Sequence, residues 1–118
     1  MVKSKQAKAR EFSAKVREII KTRDKGCIFC KLGYRMRPEA GYMFSIMHYI
    51  PRSKNGLGIP QNGAVGCQYH HDLLDHSDKR EEMLEMFREY LEKHYPDWNE
   101  KKLIYSKWSF LEEGARNE

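Results

Sequence analysis

The sequence predicts an α+β fold, a small ββα unit with helices on its N- and C-terminal flanks, and three observations predict it. Cys27-Ile28-Phe29-Cys30 and Cys67-Gln68-Tyr69-His70 form two short pairs with the spacing of metal ligands. Between them, residues 42–50 are rich in aromatic and β-branched side chains and are closed by Pro51. Outside them, apolar residues recur at helical spacing, first at Phe12, Val16, Ile19 and Ile20, then at Leu84, Phe87, Tyr90 and Leu91.

The chain has 118 residues and a formal net charge of +5. Its organisation reads as one compact domain in three parts: a basic helix over 1–25, a metal-stapled core over 26–77 and a helical extension over 78–118. The long glycine-containing stretch from 56 to 66 keeps the packed core small, a deficit that a metal staple offsets. Charge is distributed unevenly: residues 1–54 hold 14 Lys and Arg against 4 Asp and Glu, and residues 55–118 hold 8 against 13. The basic leading segment, with Lys15, Lys21 and Arg23 among its cations, suits a phosphate backbone, although a solvated helix face would carry the same charges. No apolar run approaches the roughly 20 residues needed to cross a bilayer. Three cysteines leave one over in any disulfide scheme and no secretory leader opens the chain, so a reducing, cytoplasmic setting without a membrane partner is expected.

Taken in order, the first helix is expected over about 4–24, with Gly26 as its stop signal. Residues 31–41, with Gly33, Pro38 and Gly41, read as a connecting loop after the first ligand pair. A strand follows to Ile50 and places His48 near its end. Residues 52–62 form an irregular excursion, and 63–66 a short second strand. A helix then begins at or just after Cys67 and sets His71 and Asp75 one turn apart on one face. A longer helix is expected from Asp78, with Glu81 as its capping-box partner, to the stop at Pro96. Met83, Leu84, Met86 and Phe87 are its core residues. Asp97 with Glu100 repeats the capping signature before a third short helix toward Leu103 and Ile104. Trp108 and Phe110 are expected to pack, and residues 112–118 to fray.

Cys27, Cys30, Cys67 and His70 together supply a Cys3His shell, an ordinary set for structural Zn²⁺. A Cys-x2-Cys turn places two thiolates on one side of an ion without backbone strain, so two such pairs close a tetrahedron. From these residues onward the chain resembles the HNH endonucleases of the zinc-stapled kind. The resemblance rests on Cys27-x2-Cys30, His48-Tyr49-Ile50-Pro51-Arg52, Gly56-Leu57-Gly58, Asn62, and Gly66-Cys67-x2-His70-His71, and it covers about residues 26–77.

That resemblance implies a treble-clef-like ββα-metal core and metal-assisted hydrolysis of DNA phosphodiesters. It assigns His48 as general base, His71 as ligand of a catalytic divalent cation such as Mg²⁺ or Mn²⁺, and Asn62 as the residue that ties the excursion to the strand. An imidazole that titrates near pH 6.5 can accept a proton at neutral pH without elaborate tuning. The sequence departs from the family pattern at Met47, where an acidic residue or histidine usually binds the cation, and Asp75 is the candidate replacement. It also has His70 where a fourth cysteine is commoner, which leaves open whether His70 or His71 closes the zinc shell. Arg52 and Lys54 are candidate phosphate contacts. Implied partners are DNA and a phage packaging or other nucleic-acid-processing protein. The competing readings are a non-catalytic zinc module that binds nucleic acid or protein, and a thiol-redox protein using Cys27 and Cys30.

Overall fold

The computed structural model describes residues 5–35 and 43–105. Tyr42, Pro38, Gly41, Trp108, Phe110 and the 112–118 tail, all of which carried expectations, lie outside the described residues. The fold is α+β: a two-stranded antiparallel sheet of β1 (Phe44–His48) and β2 (Gly63–Cys67), packed on both faces by helices. Its register pairs Ile46 with Val65 and His48 with Gly63.

The leading basic segment is two helices, α1 (Lys5–Arg10) and α2 (Ala14–Asp24), where one was expected. The break falls at Ser13, whose hydroxyl accepts from the backbone N–H of Val16 and so caps α2. Interrupting the helix there lets Phe12 turn into the protein, where it forms a small core with Ile20, Ile46 and Val65. Helix α2 ends at Asp24, ahead of the glycine stop; Lys25 takes the left-handed conformation at φ 54°, and Gly26 follows at φ 128°.

The opposite face of the sheet carries the main core. Met47, Ala64 and Cys67 pack there with Phe29, Leu74, Met83, Phe87 and Leu91. Burying side chains of this size contributes about 1.5–3 kcal/mol each. Gly66 leaves room for this packing, because a Cβ there would press on the sulfur of Met47 and force that side chain to shift. The helices that cover this face are α3 (Ile28–Lys31), α4 (Gln68–His76) and α5 (Arg80–His94).

Helix α5 starts two residues later than the Asp78 cap predicts. Ser77 closes α4 by donating its hydroxyl to the carbonyl of Leu73, and the same oxygen accepts from the N–H of Lys79, so the turn is organised around Ser77. The expected helix after Asp97 is a 3-10 turn over Glu100–Leu103, capped by Asn99 through its bond to the Lys101 N–H. Beyond it the chain runs beside the excursion: the Leu57 N–H donates to Leu103, and the Tyr105 N–H to Asn55. No helix among the described residues is long and apolar enough to cross a membrane.

Candidate functional site

The four residues of the two ligand pairs converge. One ligand atom from each of Cys27, Cys30, Cys67 and His70 lies within 4.8 Å of all the others, which positions the group to bind a metal ion. Local structure accounts for this. Cys27 and Cys67 stand at the N-caps of α3 and α4, so each pair is completed within one helical turn by Cys30 and His70. The sulfurs of Cys30 and Cys67 are 3.8 Å apart, and Nδ1 of His70 is 3.5, 3.4 and 3.1 Å from Cys27, Cys30 and Cys67. A tetrahedral ion with bonds of about 2.0–2.3 Å spaces its ligands by about 3.3–3.8 Å, so the residues fit zinc.

The imidazole of His70 is oriented for this role. Its Nε2 lies 2.6 Å from the carbonyl of Tyr34, which can only accept, so Nε2 carries the hydrogen and Nδ1 presents its lone pair to the sulfurs. Burial pushes the Cys27 thiol up, and burial followed by the charge of Cys27 pushes Cys30 up to about 12. A metal ion bound among these sulfurs would take them as thiolates.

His70, rather than its neighbour, therefore completes the quartet. His71 turns the other way along α4: its Nδ1 is 2.5 Å from the hydroxyl of Ser45 on β1, and its Nε2 is 3.1 Å from the carboxylate of Asp75. Arg80 reaches the second oxygen of Asp75 at 3.5 Å. Met47, one strand position before His48, is fully buried in the main core and contributes no ligand.

His48 sits at the end of β1, with its ring 4.2 Å from that of Phe12. Its Nε2 is 3.2 Å from the carbonyl of Arg10, so by the same reasoning Nε2 carries the hydrogen and Nδ1 keeps a lone pair. Burial holds its pKa below the ordinary 6.5; the Arg10 carbonyl opposes this, and the positive charges of Arg52, His71 and Arg17 reinforce it. Among the described residues, His48 does not join His71 and Asp75 in a second close cluster of ligand atoms.

Asn62 is buried, and its amide braces the excursion from both ends. Oδ1 accepts from the Ile50 N–H at 2.8 Å, while Nδ2 donates to the carbonyls of Ile50 at 3.1 Å and Leu57 at 2.8 Å. The backbone carbonyl of Asn62 also accepts from Tyr49, the residue after His48. Three side-chain bonds and one backbone bond thus tie the excursion to the chain just after β1.

The candidate phosphate contacts divide. Lys54 is exposed, and Arg52, also exposed, lies 3.5 Å from Glu11. Lys15 and Lys21 are exposed on different sides of α2, lining separate surface depressions. Arg23 is a correction: its guanidinium binds Asp24 at 2.6 Å, the carbonyls of Pro60 and Gly63 at 2.8 and 2.7 Å, and the hydroxyl of Tyr95 at 3.2 Å. It is an internal brace between α2 and β2, which charge counting alone cannot distinguish from a surface cation. Sequence reasoning also missed Ser45, Phe12 and the carbonyls of Arg10 and Tyr34. The carbonyls leave no trace in residue type, whereas Ser13 ahead of Val16 is a capping signal that would have turned Phe12 inward.

No protein-family model, curated protein or solved structure matches the chain.

Proposed function

We propose that this chain is a zinc-stapled nuclease of the HNH type that hydrolyses DNA phosphodiester bonds. In this reading Zn²⁺ joins Cys27, Cys30, Cys67 and His70 and fixes the start of α4 against β2, giving a treble-clef-like core. The observation that carries the reading is the state of His48: a strand-end imidazole whose one hydrogen is committed to the Arg10 carbonyl, leaving Nδ1 as a proton acceptor. A zinc staple does not need such an imidazole, whereas a hydrolase does.

The residues then take the following roles. Nδ1 of His48 removes a proton from water as the water oxygen attacks phosphorus, and the bond from phosphorus to the 3′-oxygen breaks. Asn62 keeps the turn after His48 in place, so the imidazole meets the water without searching. Arg52 and Lys54 hold flanking phosphate oxygens. His71 and Asp75 offer one nitrogen and one oxygen donor, which suits Mg²⁺ or Mn²⁺, ions that keep several waters and take phosphate oxygens as further ligands. His71 and Asp75 would hold such a cation, and its charge would offset that developing on the leaving oxygen.

The test is supercoiled plasmid incubated with the zinc-loaded protein and Mg²⁺, Mn²⁺ or Ni²⁺, beside His48→Ala and His71→Ala variants of unchanged zinc content. Metal-dependent nicking that both variants lose is the expected result. One observation favours a second reading: Met47 fills the strand position where a further ligand would stand. DNA binding with no nicking under any of the ions would establish that reading, a non-catalytic zinc module, and sink the nuclease.

A further inference from the structure

The leading helix and the sheet enclose a cleft that none of the roles above uses. It has a volume of about 530 Å³, and its walls are Arg17 and Lys21 from α2, Lys25 just past its end and Phe44 from β1, over a floor that includes Ile46 and Val65. Arg17 and Lys21 are one turn apart on one side of α2, and Lys25, the residue just past its end, continues the cationic wall. Phe44 is 53% exposed, an unusual position for a phenylalanine that could have been buried. No carboxylate lines the cleft among the described residues.

We propose that this cleft binds an unpaired DNA strand, with its phosphates on Arg17, Lys21 and Lys25 and a base stacked on Phe44. The inference rests on the nuclease reading for its choice of DNA, and it adds that the substrate is single-stranded where it leaves the cutting site. Charge and shape select this occupant. A row of cations facing an aromatic ring across a groove matches a strand that carries phosphates on one edge and bases on the other. A paired duplex offers no free base face to the ring.

Phe44, Ile46 and His48 alternate onto the face of β1 that meets α2, so the cleft lies on the same face as the imidazole, separated from it by the packed ring of Phe12. Four residues of strand span about 13 Å, a separation of about two nucleotides for an extended strand. Arg17 donates to the carbonyl of Phe12, whose ring lies 4.2 Å from that of His48, so this end of the cationic wall stands near the proposed site of cleavage.

The experiment measures binding in the absence of added divalent cation, using the full zinc-loaded chain. Fluorescein-labelled single-stranded 12-mers and the matching duplex are titrated by anisotropy between 50 and 200 mM KCl. The single strand is expected to bind more tightly than the duplex. Phe44→Ala is expected to weaken the single strand about tenfold and the duplex little, while Phe44→Trp retains binding. The triple variant Arg17→Gln, Lys21→Gln, Lys25→Gln is expected to flatten the salt slope by about 2, and Lys101→Gln with Lys102→Gln to leave it unchanged. Quenching of a 2-aminopurine base by the protein should disappear in Phe44→Ala. Wild-type affinity in both the Phe44→Ala and triple variants overturns the proposal, as does equal loss of single strand and duplex with Phe44→Ala silent. Absence of plasmid nicking together with these binding losses would remove the nuclease reading and leave the cleft standing.

Discussion

The carboxylate of Asp24, the last residue of α2, accepts the backbone N–H of Val65 in the middle of β2 at 2.8 Å. In a sheet of only two strands, the outer edge of β2 would otherwise present an unpaired donor, and a buried one at that. Asp24 is fully buried and is held in turn by Arg23 and by the hydroxyl of Tyr90 at 2.5 Å. The same bond pushes the Tyr90 phenol well above its ordinary value, after burial as the larger cause. Asp24→Ala would strand the Arg23 guanidinium and the Val65 N–H together. The expected cost is about 3–5 kcal/mol, the range for removing one member of a buried ion pair. Urea unfolding of the zinc-loaded protein measures it, and a loss under about 1 kcal/mol would mean the network is not what joins α2 to the sheet.

How much of this was legible in the sequence follows from the range of each interaction. Cys27-x2-Cys30 and Cys67-x2-His70 are local patterns, so the two ligand pairs and the helix start at Cys67 could be read from spacing, whereas the choice of His70 over His71 and the short helix α3 could not. The order strand, excursion, strand, helix was legible for the same reason: β-branched runs, Pro51 and the glycines act on their own neighbours. The Asp24 network was not, because Tyr90 and Tyr95 come from a helix end about 70 residues away and nothing local marks them as partners. His71 and Ser45 are another such pair, 26 residues apart. Helix boundaries failed where a competing cap was overlooked, at Ser13 and at Ser77.

Removing the metal should open the middle of the molecule. Cys27 and Cys67 are buried, and Cys30 is partly buried. With zinc bound, a thiol reagent is therefore expected to react slowly with all three. After chelation the ligand helices lose their shared anchor, all three thiols become reactive, and helical circular dichroism falls. Zinc content measured beside thiol reactivity decides the point. Fast reaction of Cys30 alone with zinc present would instead indicate that its sulfur is not a ligand.

The rate should depend on pH through His48. In the proposed hydrolysis its neutral form is the proton acceptor, so kcat/KM is expected to rise with pH as the imidazole loses its proton. Burial lowers that pKa from 6.5, so the midpoint of the acid limb is expected below pH 6.5. Arg52 is one of the positive neighbours that lower it further. Removing that charge with Arg52→Gln favours the protonated ring, so the limb should move upward toward 6.5. A limb above 6.5 in the wild type, or a downward shift in the variant, would contradict the assignment of His48 as base.

Asn62 offers the sharpest separation of geometry from chemistry. Asn62→Asp keeps Oδ1 as the acceptor for the Ile50 N–H but removes both Nδ2 donations, and it turns a carboxylate oxygen toward the carbonyls of Ile50 and Leu57. Two buried carbonyls then lose their partner while facing like polarity, which costs about 1–3 kcal/mol for each unsatisfied group. The zinc quartet shares no hydrogen bond with Asn62, so metal content is expected to stay at the wild-type level. The turn after His48 would relax, and a displacement of about 1 Å at a proton acceptor can cost about a hundredfold in rate. The expected result is a large fall in kcat with zinc content nearly unchanged. Wild-type kcat in a folded Asn62→Asp protein would mean the brace supports the fold alone and leaves the imidazole positioned by Arg10 and Phe12.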